Sequence, residues 1–301
     1  MFQTTISTII TIAFCIGAGA AYAQNPSDLY MFSVERTGKG EYHLHNAKFL
    51  SSFNKGGYTN QPSFTPSGDI LVSVRKKGET QNDIVQLMPA LKKYNRLTKT
   101  NASEYSPRIH PDEEQLTVLR QLSASPLDQQ VCNIPLRSGE MECVTVDIKD
   151  VGYYTWLNPK ELGLFRIDGT TGRLAYYNVD ENKSRRISTA IGRTLMTDKT
   201  GQLVYVHKFA DDFWYIKKYN PSNSAIEIVN RTIAKNEDFA LASDGTYFMA
   251  KDNILYTFHP DRGKDWVQLA DLSAYGIRYI TRMAISPDLK KLVIVAEQQK
   301  S

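Results

Sequence analysis

The sequence predicts an all-β fold, a six-bladed β-propeller of four-stranded antiparallel blades, and three observations carry that prediction. The first is a repeat: a short β-branched or aromatic run, a polar turn and a second apolar run recur six times. The copies are PSFTPSGDILVSV (62–74), PRIHPDEEQLTVL (107–119), TWLNPKELGLFRI (155–167), TLMTDKTGQLVYV (194–206), FALASDGTYFMA (239–250) and MAISPDLKKLVIV (283–295). Counted on Pro66, Pro111, Pro159, Asp198, Asp244 and Pro287, the steps are 45, 48, 39, 46 and 43 residues. A period of that length, with room for four short strands, is the mark of a propeller blade. The second is a leading Asp before the next strand, in Asp83-Ile84-Val85, Asp128-Gln129-Gln130, Asp212-Phe213-Trp214 and Asp252-Asn253-Ile254; the third copy departs from it with Gly172-Arg173-Leu174. The third concerns the chain ends. The last copy stops after its two inner strands, and the missing outer pair stands at the other end as Asp28–Val34 and Tyr42–Leu50. Pairing N-terminal strands with the C-terminal blade closes the ring and removes exposed sheet edges.

Each strand type has a local reason. Pro, Asp, Ser and Gly between the first and second strands shape tight turns, and the following Leu-x-Val runs suit a buried strand. Fourth strands follow as Tyr94–Thr98, Ala225–Val229 and Asp265–Leu269. A 42% hydrophobic content with 17 Tyr and 12 Phe favours strands, and no helical periodicity longer than a turn or two interrupts them, so residues 24–301 read as one domain. The 36 basic and 32 acidic residues nearly balance, and the basic ones fall as isolated doublets such as Lys92-Lys93 and Lys217-Lys218. That pattern excludes the basic stripe of a nucleic-acid binder.

Residues 1–23 differ in kind. Ile9–Ile16 is an apolar core, followed by Gly17-Ala18-Gly19-Ala20 and a small-x-small site, Ala21-Tyr22-Ala23. This is a secretory signal expected to be cleaved after Ala23, leaving a periplasmic or secreted protein with no stable membrane insertion. Cys132 and Cys143 remain, on two strand-like halves around a Leu136–Gly139 turn. A four-residue turn places them face to face, and an oxidising compartment permits a cross-strand disulfide, with two free thiols on one sheet face as the alternative.

The turns Thr65-Pro66-Ser67-Gly68, His110-Pro111-Asp112 and Ser286-Pro287-Asp288, each with its following apolar run, resemble the propeller repeats of the TolB family. The same repeats occur in prolyl oligopeptidase propeller domains. The resemblance spans all six copies and implies a Gram-negative envelope context, with a protein or peptide partner of which a peptidoglycan-associated protein is one candidate. The motif itself is structural, because its residues build turns and carry no chemistry.

Candidate chemistry is correspondingly thin. His43 and His45 lie two apart on one strand and share a face, but on the outermost strand of the closing blade. No Gly-x-Ser-x-Gly elbow is present, and neither Gly-rich segment (Lys55-Gly56-Gly57 or Gly169–Gly172) precedes a helix that could cradle phosphate. No catalytic residue, metal site or cofactor is therefore expected. Loops entering the innermost strands gather at one mouth of a propeller channel, which is where a ligand would bind. The residues there are Tyr58, Asn60, Gln61, Glu104, Tyr105, Tyr154, Trp156, Arg193, Glu237, Asp238, Tyr279 and Arg282, with Tyr153 and Arg278 beside them. A mouth rich in Tyr, Trp and Arg suits a peptide or partner loop. The expected function is a monomeric, non-enzymatic protein-binding platform. The rival is a metal-dependent lyase or lactonase-type propeller drawing on Asn60, Glu104 and Asp238.

Overall fold

The computed structural model describes residues 25–298 apart from 39, 126, 138, 170 and 234, so the expected signal at 1–23 lies outside the described residues. The chain opens with β1 (Ser27–Arg36) and β2 (Tyr42–Phe49). A four-stranded antiparallel sheet follows: β3 (Tyr58–Phe64), β4 (Ile70–Arg75), β5 (Asp83–Met88) and β6 (Lys93–Arg96). The next holds β7 (Ser103–Ile109), β8 (Gln115–Gln121), β9 (Gln129–Pro135) and β10 (Glu142–Cys143). β11 (Val151–Asn158), β12 (Glu161–Asp168), β13 (Thr171–Asn178), β14 (Lys183–Thr197), β15 (Leu203–Ala210), β16 (Phe213–Tyr219) and β17 (Ile226–Arg231) make one seven-stranded sheet. β18 (Phe239–Leu241), β19 (Tyr247–Lys251), β20 (Ile254–Phe258) and β21 (Val267–Asp271) form another sheet of four. Last, β22 (Ile280–Ile285) and β23 (Lys291–Glu297) join the first two strands in the order β2-β1-β23-β22.

The sheet count departs from the expected six. β14 runs unbroken for 15 residues and serves two neighbours: Lys183–Ser188 pairs with β13, Leu195–Thr197 pairs with β15, and Ile191 faces both Gly172 and His207. Between these stretches the strand bends at Ala190, which holds a left-handed φ of 49°. Gly192 follows because its neighbours leave no space: a Cβ there would lie 2.7 Å from the Glu237 Cβ. The two halves of this sheet pack on each other through Leu157 and Leu174 on one side and Leu203, Tyr205 and Tyr219 on the other.

The same arrangement recurs between every pair of consecutive units. Among the described residues, Leu29, Met31 and Val293 meet Ile70 and Val85; Leu71 and Ile84 meet Leu116 and Val118; Leu119 and Val131 meet Tyr154 and Leu164. Val204 and Ile216 meet Phe239 and Met249, and Phe248 and Leu255 meet Phe32 and Ile294. Second strands thus have both faces covered, which is why β4, β8, β15, β19 and β23 read as continuous apolar runs instead of alternating ones. Outermost strands face water, and β6 is exposed at all four positions.

The turns between first and second strands share one hydrogen-bonded form in five copies. The first turn residue (Thr65, His110, Asp198, Ala242 or Ser286) donates its N–H to a carbonyl four or five residues on. Its own carbonyl accepts from the residue three on: Gly68, Glu113, Gly201, Gly245 or Leu289. All five of those residues have positive φ, from 59° to 92°, so Gly is the low-cost choice at three of them. Side chains complete the turn: Thr65 Oγ1 accepts from the Asp69 N–H, Asp198 Oδ1 from Gln202 and Ser286 Oγ from Lys291. This form shifts the sequence phasing, because Asp198 opens its turn while Asp244 is the third residue of its own. The third copy differs, with Asn158 facing Glu161 across a two-residue turn.

Cys132 and Cys143 are register partners on β9 and β10 and are joined as a disulfide. The bond fixes a short outer strand that has only two ladder residues of its own. Reduction, or the double change Cys132→Ser/Cys143→Ser, should cost about 2–3 kcal/mol, the scale for closing a short loop. Thermal melts with and without reductant will show this as a lower midpoint for the reduced protein.

Candidate functional site

First strands bulge where they face the axis. Pairing with the second strand slips between Asn60 and Ser63 in β3, between Tyr105 and Arg108 in β7, and between Ile280 and Arg282 in β22. At two of these bulges Gln61 and Ser106 take left-handed φ values of 56° and 50°. A bulge re-aims side chains and frees backbone groups, and one residue of each copy reaches a common cavity at the corresponding position. Counting four back from the opening turn residue, and from Asn158 in the third copy, these are Gln61, Ser106, Tyr154, Thr194, Asp238 and Arg282.

The six form two polar arcs. In one, the Ser106 N–H donates to Gln61 Oε1 at 2.9 Å and the Tyr154 hydroxyl donates to the Ser106 carbonyl at 2.9 Å. In the other, Thr194 Oγ1 donates to Asp238 Oδ1 at 3.0 Å, and Arg282 Nη1 lies 3.8 Å from the same oxygen. Arg193 adds a bidentate grip on Asp238, its Nε 3.0 Å from Oδ1 and its Nη2 on Oδ2. Arg282 also donates to the Tyr153 hydroxyl at 2.9 Å and lies over the Tyr153 ring, 4.9 Å from the centroid. Glu237 closes the network with Lys208 at 2.5 Å and Arg193 at 3.5 Å.

Burial alone would raise the Asp238 pKa, but Arg193 and Arg282 outweigh it and hold the carboxyl below its ordinary range. Burial would likewise lower the Arg193 pKa, and Asp238 reverses that and raises it. Burial pushes the Tyr58 and Tyr154 hydroxyls upward, so both stay protonated hydrogen-bond donors at neutral pH.

Two cavities open on this network. One, of about 560 Å³, lies on the turn side; the other, of about 800 Å³, lies where the chain enters the first strands. Gln61, Tyr153, Arg193 and Arg282 line both and form a waist between them. Of the sequence-predicted residues, Tyr58, Asn60 and Tyr105 line the entry-side cavity only, and Tyr154, Trp156 and Asp238 the turn-side cavity only. Three of them line neither. Glu104 is fully buried behind the wall, where Thr100 donates to it and desolvation raises its pKa. Glu237 is spent on Lys208 and Arg193, and Tyr279 is 55% exposed. His43 and His45 are exposed on β2, away from both cavities.

Sequence reasoning missed Arg108, which lines the turn-side cavity. A signal for it existed: two residues before the opening turn residue, where it stands, other copies carry Ser63, Trp156, Met196, Ala240 and Ala284. An Arg in that series is the departure to look for.

No family model matches the chain, and no curated protein does. Solved structures do. A TolB-type protein from Agrobacterium tumefaciens superposes with a TM-score of 0.65 at 12% identity, over 92% of this chain and 100% of the other. The fold is that of the TolB-like β-propellers. TolB from Acinetobacter baumannii matches at a TM-score of 0.56 and 12% identity, over 90% of this chain and 64% of that one. A third propeller, an oligogalacturonate lyase in complex with manganese, matches at 0.58 and 14% identity over 86% and 83%. Identities this low speak for the propeller fold and leave the chemistry to the site.

Asp238→Asn tests the charge network of the propeller waist. Removing one partner of a buried ion pair should cost about 3 kcal/mol at pH 7. The Asp238 pKa is lowered on folding, so its contribution is present above the unfolded carboxylate value of about 3.9 and is lost as pH falls below it. The stability gap between parent and variant should therefore narrow below about pH 4, read from urea unfolding across pH.

Proposed function

We propose that the protein is an exported, non-enzymatic, monomeric six-bladed propeller that engages a protein or peptide partner of the cell envelope through its channel. The single observation behind this reading is the channel itself: two open cavities walled by Tyr, Trp and Arg, in which the interior carboxylate, Asp238, is held by Arg193 and Arg282. Amphipathic, rotamer-poor aromatics and Arg forks are good anchors for an inserted peptide. Six interfacial clusters, together with a seven-stranded sheet whose halves pack on each other, favour six blades with β14 shared between the third and fourth. The β1–β23 ladder, from Ser27↔Glu297 to Ser33↔Lys291, favours a ring closed through the chain ends. Export rests on the apolar stretch and the small-x-small site of residues 1–23, and TolB-like architecture supports an envelope setting. Among the described residues no helix is long and apolar enough to cross a membrane.

The lyase neighbour holds manganese, which raises the metal-dependent reading. The donor set here does not fit a divalent cation. Among the described residues no group of three or more His, Cys, Asp or Glu side chains converges. Asn60, Glu104 and Asp238 are separated: Asn60 Oδ1 takes the Gln61 N–H, Glu104 is buried behind the wall, and Asp238 is gripped by arginines. Arg108, Arg193 and Arg282 would repel an entering cation.

Two measurements test the proposal. Protein recovered from the envelope fraction should begin at Gln24, read by N-terminal sequencing. A photo-crosslinking residue at Tyr105, at the entry-side mouth, should trap an envelope protein in living cells, while the same group at exposed Tyr94 on β6 should not. Equal labelling at both positions, or none at Tyr105, would sink the binding-platform reading.

A further inference from the structure

The turn-side cavity carries a charge imbalance that the network around Asp238 does not absorb. Three guanidinium groups line it, those of Arg108, Arg193 and Arg282, around one interior carboxylate, Asp238. The two other lining carboxylates stand with the turns: Glu113 is exposed and Asp198 is paired with Lys218 at 2.9 Å. Arg193 and Arg282 share Asp238. Arg108 has no carboxylate within 4 Å among the described residues, and its one described hydrogen bond runs from Nη2 to the Leu195 carbonyl at 3.4 Å. A guanidinium has five N–H donors in a planar fork, so most of this one's capacity is unspent. Desolvation is the main influence that lowers its pKa, and the charge of Arg282 adds to it. A desolvated cation without a counter-charge is costly unless something supplies one.

We infer that Arg108 is the receptor for a carboxylate carried by a bound peptide, seated in the turn-side cavity. A carboxylate matches the guanidinium fork in two-pronged geometry, and it relieves the repulsion between Arg108 and Arg282 as it enters. The cavity that Arg108 lines also has apolar wall residues, Ile109, Trp156, Met196 and Leu241 among them. That surface fits an acidic residue flanked by aliphatic ones better than a fully hydrated free anion. The inference deepens the binding-platform reading by assigning a chemical class to what the channel holds.

The test uses the full mature chain and three probes at one ionic strength: acetyl-Leu-Glu-Leu-amide, its Gln counterpart, and free succinate. Calorimetry should show the Glu peptide binding at least tenfold tighter than the Gln peptide. In Arg108→Gln the two peptides should come within twofold of each other, and Arg108→Lys should keep a smaller preference for Glu. Without ligand, Arg108→Gln should melt no lower than the parent, because it removes an uncompensated cation. A parent that treats both peptides alike, an Arg108→Gln variant that still prefers Glu, or a fall in its melting temperature would each overturn the assignment. Succinate binding with no response to the Glu peptide would overturn the peptide as its source. Failure of partner trapping at Tyr105 with an intact Glu preference would remove the envelope platform and leave the carboxylate site; the converse would remove this site alone.

Discussion

Asp238 is the hub of the molecule. It sits one residue before β18, yet its two oxygens gather Arg193 and Thr194 from β14 and Arg282 from β22. Around the axis of a propeller the inner strands line a channel, so apolar burial cannot fix their spacing there. Hydrophobic clusters hold neighbouring sheets face to face, but such contacts are non-directional and tolerate sliding. The polar network supplies the direction. A carboxylate buried among guanidinium forks has few geometries that leave every group partnered, and each strand that contributes a group is placed by it.

The fold was largely legible because its signals are local and repeated. Turn residues with left-handed backbone recur in five copies, and apolar runs covered on both faces accompany them; neither needs tertiary knowledge to be read. The phasing of two copies was not legible: Asp198 and Asp244 look alike in sequence but occupy the first and third places of their turns, and only backbone hydrogen bonds distinguish them. The merger of two expected sheets through β14 was equally hidden, since a corner at Ala190 carries no Gly or Pro of its own to mark it.

The cavity walls were legible by position more than by chemistry. Placing the mouth upstream of each first strand brought in Tyr58, Asn60, Tyr105, Arg193 and Arg282, which do line the cavities. Glu104 is turned into the wall by ordinary alternation along β7, which leaves its neighbours Ser103 and Tyr105 lining the entry-side cavity. Arg108 lies later in β7, past the bulge that carries it to the cavity. The near balance of 36 basic and 32 acidic residues gave no warning either, because the excess that matters is local to one cavity.

The ladder between β1 and β23 joins Ser27 to Glu297, partners separated by most of the chain. Loop closure over such a distance is paid for before any of its contacts form, which makes contacts of this kind late in folding. Until β23 arrives, β1 and β2 are a bare hairpin with an unpaired edge, and a lone hairpin has little stability in water. The final sheet is thus a lock that only the whole polypeptide can turn. A chain emerging from its N-terminus would stay pliable until β23 followed, and would gain its finished shape only then.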